Sequence, residues 1–442
     1  MATLAATPLA EEGRPWRRAL LWLALLGPFF FASYGFANWM AGRHATLPVM
    51  AFAWETRIPF VPWTIVPYWS IDLFYAISFF LCRHRLELDR HALRLFSAQL
   101  IAVACFLLWP LRFSFERPEI GGVFGWLFDV LLGFDKPFNQ APSLHIVLLI
   151  VLWVKFAQYL HGVWRGVLHV WALLIGVSVL TTFQHHFVDI PTGLLAGWLC
   201  VWLWPEQGTP PSWAWHTARD ARRWRLAALY LLGAAVLLVP VVLLRGAALW
   251  LLWPVTSLLL VALAYAGLGT AVFQKRADGR LTMAARWLLA PYLGAAWINS
   301  RLWTRRAPQP EPVLDGVWLG RIPNGALPPP LGGVVDACAE LSCRAQGAAY
   351  ASVPMLDLVV PAPEQLREAA EAIERLHAHG PLLVCCALGD SRSAASVATW
   401  LLRSGRAADA DAAVAIVRAA RPGIVLGTAH LRAITDAAGV RA

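Results

Sequence analysis

Long apolar runs occupy most of the chain before residue 300, and they limit what it can fold into. Runs of about 18 or more mostly apolar residues, enough to cross a hydrocarbon core about 30 Å thick, lie at 19–39, 62–82, 95–111, 142–160, 166–184, 188–204, 225–245 and 248–272. Such runs satisfy their backbone in lipid only as helices. The expected fold class is therefore a polytopic all-α membrane domain of about eight spans, followed by a C-terminal α/β domain. Composition agrees: 58% of residues are hydrophobic, 24 are Trp and only 14% are charged, against about 25% charged in soluble domains. The first run has no small-residue cleavage site and further spans follow it, so it is read as a retained helix and not a signal peptide.

The net charge of +10 is not the footprint of a nucleic-acid binder, because the basic residues cluster at span ends. Arg14, Arg17 and Arg18 precede the first span, and Arg83, Arg85, Arg90 and Arg94 follow the second. Lys155 and Arg165 lie between the fourth and fifth, Arg219, Arg222, Arg223 and Arg225 between the sixth and seventh, and Lys275, Arg276 and Arg280 after the eighth. Every second loop is basic, which under the positive-inside rule puts the N-terminus, these loops and the tail in the cytoplasm. A further apolar segment at 283–300 has basic residues on both flanks and is read as a helix lying in the cytoplasmic interface, with a ninth span as the alternative. The expected location is a bacterial-type inner membrane, crossed several times.

Composition changes at "TRRAPQPEPVLDG", 304–316, where Pro308, Pro310 and Pro312 suggest a stiff linker. The expected organisation is a six-span membrane domain over 1–210, two further spans and the ambiguous helix over 211–303, the linker over 304–316, and a domain over 317–442. In the last, strand-like runs ("GVWLG", "GGVVDAC", "AAYASVPML", "PLLVCCA") alternate with helical patterns. In "PEQLREAAEAIERLHAHG", Leu366, Ala370, Ile373 and Leu376 share one face. That alternation implies a parallel or mixed sheet covered by helices. None of the seven cysteines sits in a disulfide or metal pattern, and a working thiolate needs a reducing compartment, in keeping with a cytoplasmic tail.

The motif "VCCALGDSRSAAS", 384–396, carries the first candidate site. A buried-strand pattern leads into it and a helix pattern leads out. A strand-to-helix loop aims backbone N–H groups and the positive end of the helix dipole at one point, which makes an anion site. A thiolate there can attack phosphorus, and Arg392 offers a bidentate fork for phosphoryl oxygens. Only Cys386 has five residues between it and Arg392. Because side chains alternate along a strand, Cys385 faces away from Cys386. Gly389 lies in the loop, Ser393 follows the arginine, and Asp357, at the end of a strand-like run, is the candidate acid for the leaving oxygen. The plain alternatives are two small buried cysteines at a strand end and a turn aspartate.

This segment resembles the dual-specificity branch of the protein tyrosine phosphatase superfamily, whose signature is His-Cys-x-x-Gly-x-x-Arg-Ser/Thr. The likeness runs from about "DGVWLGRIP" to the end and includes the "RAARPGI" segment after the loop. It implies Cys386 as nucleophile, Asp357 as acid, and Arg392, Ser393 and Gly389 as the phosphate cradle. Cys385 stands where that family has histidine.

A second polar cluster interrupts the apolar runs, in "FNQAPSLHIVLL" and "TTFQHHFVDIPTG". Ionisable residues within apolar spans are costly and usually functional. His185 and Asp189, at i and i+4, are expected on one helical face, where the carboxylate orients the imidazole; His186 points elsewhere. His185 as nucleophile with His145 as acid makes a phosphotransfer site on the non-cytoplasmic side. A zinc-type site from His145, His185 and Asp189, a transporter's proton relay, and structural histidines are the alternatives. "APSLH" and "QHHFVD" resemble the second and third motifs of the type-2 phosphatidic acid phosphatase superfamily, in particular its inositol phosphorylceramide synthase branch. That family has six spans and a phosphohistidine intermediate. The resemblance implies Ser143 and Arg117 as phosphate ligands. Its first-motif lysine would fall at Pro110 and its third-motif arginine at Val179, which leaves Arg112 or Lys136 as substitutes.

The sequence therefore points to an integral membrane phosphatase for phospholipid-type substrates that hydrolyses or transfers phosphoryl groups, with no cofactor or metal and no nucleic-acid partner. A phosphorylated lipid headgroup is the expected partner. A membrane-anchored protein phosphatase and a non-catalytic sensor of anionic lipid are the alternatives.

Overall fold

The computed structural model of the chain describes residues 13–244, 246–343 and 347–439. It is mostly helical with one small sheet, and it divides into two compact units. One runs to Pro210 and includes Pro240–Trp250; the other holds Pro211–Val239 and everything from Leu251.

The first unit contains helices α1 (Trp16–Ala41), α2 (Ile65–Leu81), α3 (Arg85–Leu108), α4 (Gly122–Phe134), α5 (Leu144–Tyr159), α6 (Gly162–Thr181) and α7 (Asp189–Leu203). Among the described residues, six helices are long and apolar enough to cross a membrane: Trp16–Ala41, Pro62–Leu81, Arg85–Leu108, Gly162–Thr181, Ala221–Leu244 and Gly246–Phe273. The runs at 142–160 and 188–204 form shorter helices, α5 and α7. α4 was not expected as a helix of its own. α5 and α7 pack through a small-residue seam. A Cβ on Gly193 would lie 2.7 Å from Ile146 Cβ, and one on Gly197 would lie 2.8 Å from Ile150 Cβ. This close approach brings the two helix starts together, and the Ser143 N–H donates to the Asp189 carbonyl at 3.1 Å.

The second unit begins with α8 (Ala221–Leu244, of which the residues to Val239 belong here) and α9 (Leu252–Leu263). α9 runs on through a π-helical turn, Ala264–Leu268, into a 3₁₀ turn, Gly269–Phe273. The segment expected as one interfacial helix is broken at Leu289 into α10 (Met283–Leu288) and α11 (Ala290–Trp303). The expected linker holds a strand: β1 (Glu311–Leu314) pairs antiparallel with β2 (Val317–Arg321). Pro312 has no N–H to give a ladder, and an edge strand tolerates that.

β3 (Gly333–Cys338), β4 (Ala349–Met355) and β5 (Leu382–Cys386) complete a sheet of order β1-β2-β5-β3-β4. β2, β5, β3 and β4 are parallel, so both faces of the sheet need cover. Side chains alternate between two cores. Leu382, Val384 and Cys386 face a core shared with α12 (Pro363–His377), α13 (Arg392–Arg403), α14 (Ala410–Ala420) and α15 (Thr428–Ala438). Leu383, Cys385 and Ala387 face the other core, where Ala296 of α11 packs against them. Ser300 adds a hydrogen bond to the Ala387 carbonyl at 2.5 Å.

A hairpin after the last long apolar helix pins this second face. Lys275 pairs with Leu281 across the hairpin, and its buried ammonium donates to Asp336 at 2.5 Å, to the Leu341 carbonyl at 2.8 Å and to the Cys338 carbonyl. Both charges are almost fully buried, so removing one strands the other, at a cost of about 3–5 kcal/mol. Lys275→Met is expected to lower the thermal midpoint of the detergent-purified chain by several degrees, whereas Arg276→Met, at an exposed site, is expected to leave it nearly unchanged. Equal midpoints for the two variants would contradict this arrangement.

Candidate functional site

In open α/β sheets, ligands bind beyond the carboxyl ends of the strands. Cys386 ends β5 and Arg392 begins α13. Between them the chain turns back so that the Gly389 N–H donates to Cys386 Sγ at 3.2 Å, and the Ser393 hydroxyl donates to the same sulfur at 3.2 Å. Gly389 has φ +87°, and a Cβ there would lie 2.5 Å from the Gly320 carbonyl carbon. Both facts restrict the position to glycine. The rest of the loop is tied down by Arg421, which donates to Asp390 at 2.8 Å and to the Leu388 carbonyl at 2.9 Å.

The Arg392 side chain is 2% exposed. Its two terminal nitrogens hold the carboxylate of Glu340 in a fork, each at 2.8 Å, and one of them also donates to the Met355 carbonyl at 3.0 Å. Asp357 meets the other at 3.0 Å. Arg392 Nε is buried and has no partner, so one donor edge is left for a ligand. Burial presses the Glu340 carboxyl upward, but the charge and hydrogen bonds of Arg392 outweigh it and hold Glu340 below the usual carboxylate range. Asp357 goes the other way: burial together with the Glu340 charge outweighs Arg392, and its carboxyl is raised. Cys385 lies in the opposite core, where a hydrogen bond with Cys343 and burial push its thiol well above its ordinary value.

The helical unit brings the other candidates together around the loop between α6 and α7. His185 lies in that loop, not on a helical face, and Asp189 is the first residue of α7. The contact still forms: His185 Nδ1 is 3.1 Å from Asp189 Oδ2, which also accepts the His186 N–H at 3.1 Å. A carboxylate only accepts, so Nδ1 carries the hydrogen and Nε2 has the free lone pair. His145 stacks on Tyr68 with ring centres 3.9 Å apart, and its Nε2 donates to the Tyr68 carbonyl at 2.8 Å, leaving Nδ1 for proton exchange. His186 is held by Glu55 at 2.9 Å, and its Nε2 lies 3.2 Å from the Ser114 hydroxyl.

Of the expected phosphate ligands, Arg117 and Lys136 line a cavity of about 550 Å³ with Asp135, Gln184, Phe115 and Phe128. Arg117 also donates to the Thr182 carbonyl at 3.2 Å and lies over the Phe128 ring. Arg112 is not brought there: its side chain is exposed and its N–H is used on the Pro48 carbonyl. Ser143 is fully buried, and its hydroxyl caps α5 by accepting from the Ile146 N–H. No group of three or more His, Cys, Asp or Glu side chains is placed to hold a metal ion among the described residues.

Sequence reasoning missed Glu340, Asp135 and Glu55. Glu340, in "DACAELSC", is a carboxylate just after a fully buried strand, and Asp135, whose carboxylate accepts from the Tyr34 hydroxyl at 2.6 Å, lies in a loop after an apolar helix. In both, a carboxylate in a largely apolar stretch was the available signal.

No protein-family profile matches the chain, and no curated protein matches it. Solved structures similar to it are phosphatases of the dual-specificity and protein tyrosine type, covering about 30% of the chain. Human DUSP28 is 21% identical over 30% of this chain and 94% of its own, with a TM-score of 0.25. Tk-PTP in its active form is 22% identical over 30% of this chain and 99% of its own, with a TM-score of 0.27. PTPMT1 in complex with PI(5)P is 18% identical over 29% of this chain and 92% of its own, with a TM-score of 0.25.

Proposed function

We propose that the chain is a multi-pass membrane phosphatase that removes phosphate from a phosphorylated lipid through a phosphocysteine at Cys386. The observation that carries this reading is the Cys386 sulfur receiving two donors from its own loop while Arg392, six residues on, keeps Nε unpaired. A phosphate dianion entering the loop takes the Nε edge of Arg392 and displaces Asp357 from the guanidinium. The Cys386 thiolate attacks phosphorus, the ester P–O bond breaks, and the Asp357 carboxyl passes its proton to the departing alkoxide. The Asp357 carboxylate then takes a proton from water as the water attacks the phosphocysteine, and the Ser393 hydroxyl stabilises the departing thiolate.

In the helical unit, we infer a second phosphoryl-transfer site of the type-2 phosphatidic acid phosphatase kind. His185 Nε2 is the nucleophile, Asp189 orients its ring, His145 Nδ1 exchanges the proton, and Arg117 with Lys136 binds phosphate. A lipid substrate is favoured by an apolar groove of about 470 Å³. It starts at Ile146 and Ile190, the chain neighbours of His145 and Asp189, and continues along α5, α6 and α7 to Trp153. By the alternation of basic loops, Cys386 faces the cytoplasm and His185 the opposite side of a bacterial inner membrane. Residues 1–210 form the lipid-phosphatase-like domain and 317–442 the cysteine-phosphatase domain.

Two experiments test the reading. With full-length protein in mixed micelles, Cys386→Ser is expected to abolish phosphate release from phosphomonoesters that depend on the tail, and His185→Ala is expected to remove only a separate lipid-phosphate activity. Loss of both activities in either single variant would contradict two independent sites. The raised Asp357 carboxyl sets the pH dependence, because the acid must hold its proton: kcat on an alkyl phosphomonoester falls as pH rises through that raised value. Asp357→Asn is expected to lower kcat about 10²–10⁴-fold and to flatten that alkaline limb. An unchanged limb would remove Asp357 from the role.

A further inference from the structure

α8, the π turn after α9, and α11 have no role in the chemistry above, yet each contributes a tyrosine beneath the acid loop. The Tyr265 hydroxyl donates to the main-chain carbonyl of Asp357 at 3.1 Å. Tyr230 stacks on the Tyr265 ring at 5.5 Å, nearly parallel, and Tyr292 meets Tyr230 edge-on at 5.9 Å. All three lie within the electrostatic reach of Glu340 and Asp357.

Tyr265 belongs to the π turn, an irregularity that frequently marks functional sites. Arg223 of α8 holds the turn by donating to the Tyr265 carbonyl at 3.0 Å and the Ala264 carbonyl at 3.1 Å. The acid loop needs an external hold, because Leu358, next to Asp357, has φ +59°. A non-glycine residue keeps that conformation only where its surroundings over-determine it.

We propose that Tyr265 is a positioning residue for the proton-donating step: its hydroxyl fixes the Asp357 main chain so that the carboxyl stands over the leaving oxygen, and the cysteine site is complete only with the apolar helices that carry this tyrosine. The inference rests on the proposed phosphocysteine reading.

The test is Tyr265→Phe in the full-length chain, which keeps the ring and its stacking and removes only the hydroxyl. Steady-state rates are measured on p-nitrophenyl phosphate, whose phenolate leaves without a proton, and on phenyl phosphate, whose phenolate needs one. The expected result is a kcat within about twofold of wild type on the first and about tenfold lower on the second, with no further loss in an Asp357→Asn background. Equal loss on both esters, or loss that adds fully to Asp357→Asn, overturns the inference and leaves the phosphatase reading standing. A wild-type chain that releases phosphate from neither ester overturns both.

Discussion

The second unit is organised by the burial of one guanidinium. Arg392 starts α13 inside the core, and a buried charge of that kind is tolerated only when opposite charge and hydrogen bonds surround it. Glu340 just beyond β3, the Met355 carbonyl at the end of β4 and Asp357 just beyond it all converge on Arg392. The ends of three elements are thereby fixed relative to the loop that carries Cys386. The same contacts divide the two carboxylates: Glu340 is held below the usual carboxylate range as the buried partner, while Asp357, at the more open edge, is raised and is the one that phosphate would displace in the proposed reaction.

A parallel sheet adds a second constraint, since both of its faces must be covered. Four helices, α12 between β4 and β5 and α13 to α15 after β5, cover one face. The other has no helix from the strand region and is closed by α11 and by the Lys275 hairpin. The α/β sheet and the apolar helices from α8 to α11 are for this reason parts of one compact unit and not a tethered pair. The same packing allows a tyrosine on an apolar helix to touch the acid loop.

Local pattern made much of this legible in the sequence. Alternation along Leu382–Ala387 separates Cys385 from Cys386, the five-residue spacing selects Arg392, and the apolar stripe of Leu366, Ala370 and Ile373 is buried on α12 as its period implies. What escaped depends on distant partners. Nothing near Glu340 shows that it will meet a residue fifty positions on, and nothing near Asp135 shows that it will meet Tyr34. His185 and Asp189 are close, as i, i+4 spacing implies, but a turn brings them together, because α7 starts only at Asp189. The proline-rich segment reads as linker because its strand partner lies across a turn that proline content alone does not reveal.

In the proposed reaction, phosphate passes through the Cys386 sulfur. The most direct measurement is to quench the full-length chain with acid during turnover of a radiolabelled lipid phosphomonoester, digest it, and identify the residue that carries the phosphoryl group. Label is expected on Cys386 and is expected to be absent in Cys386→Ser. Phosphate release at the wild-type rate with no label on Cys386 would contradict it.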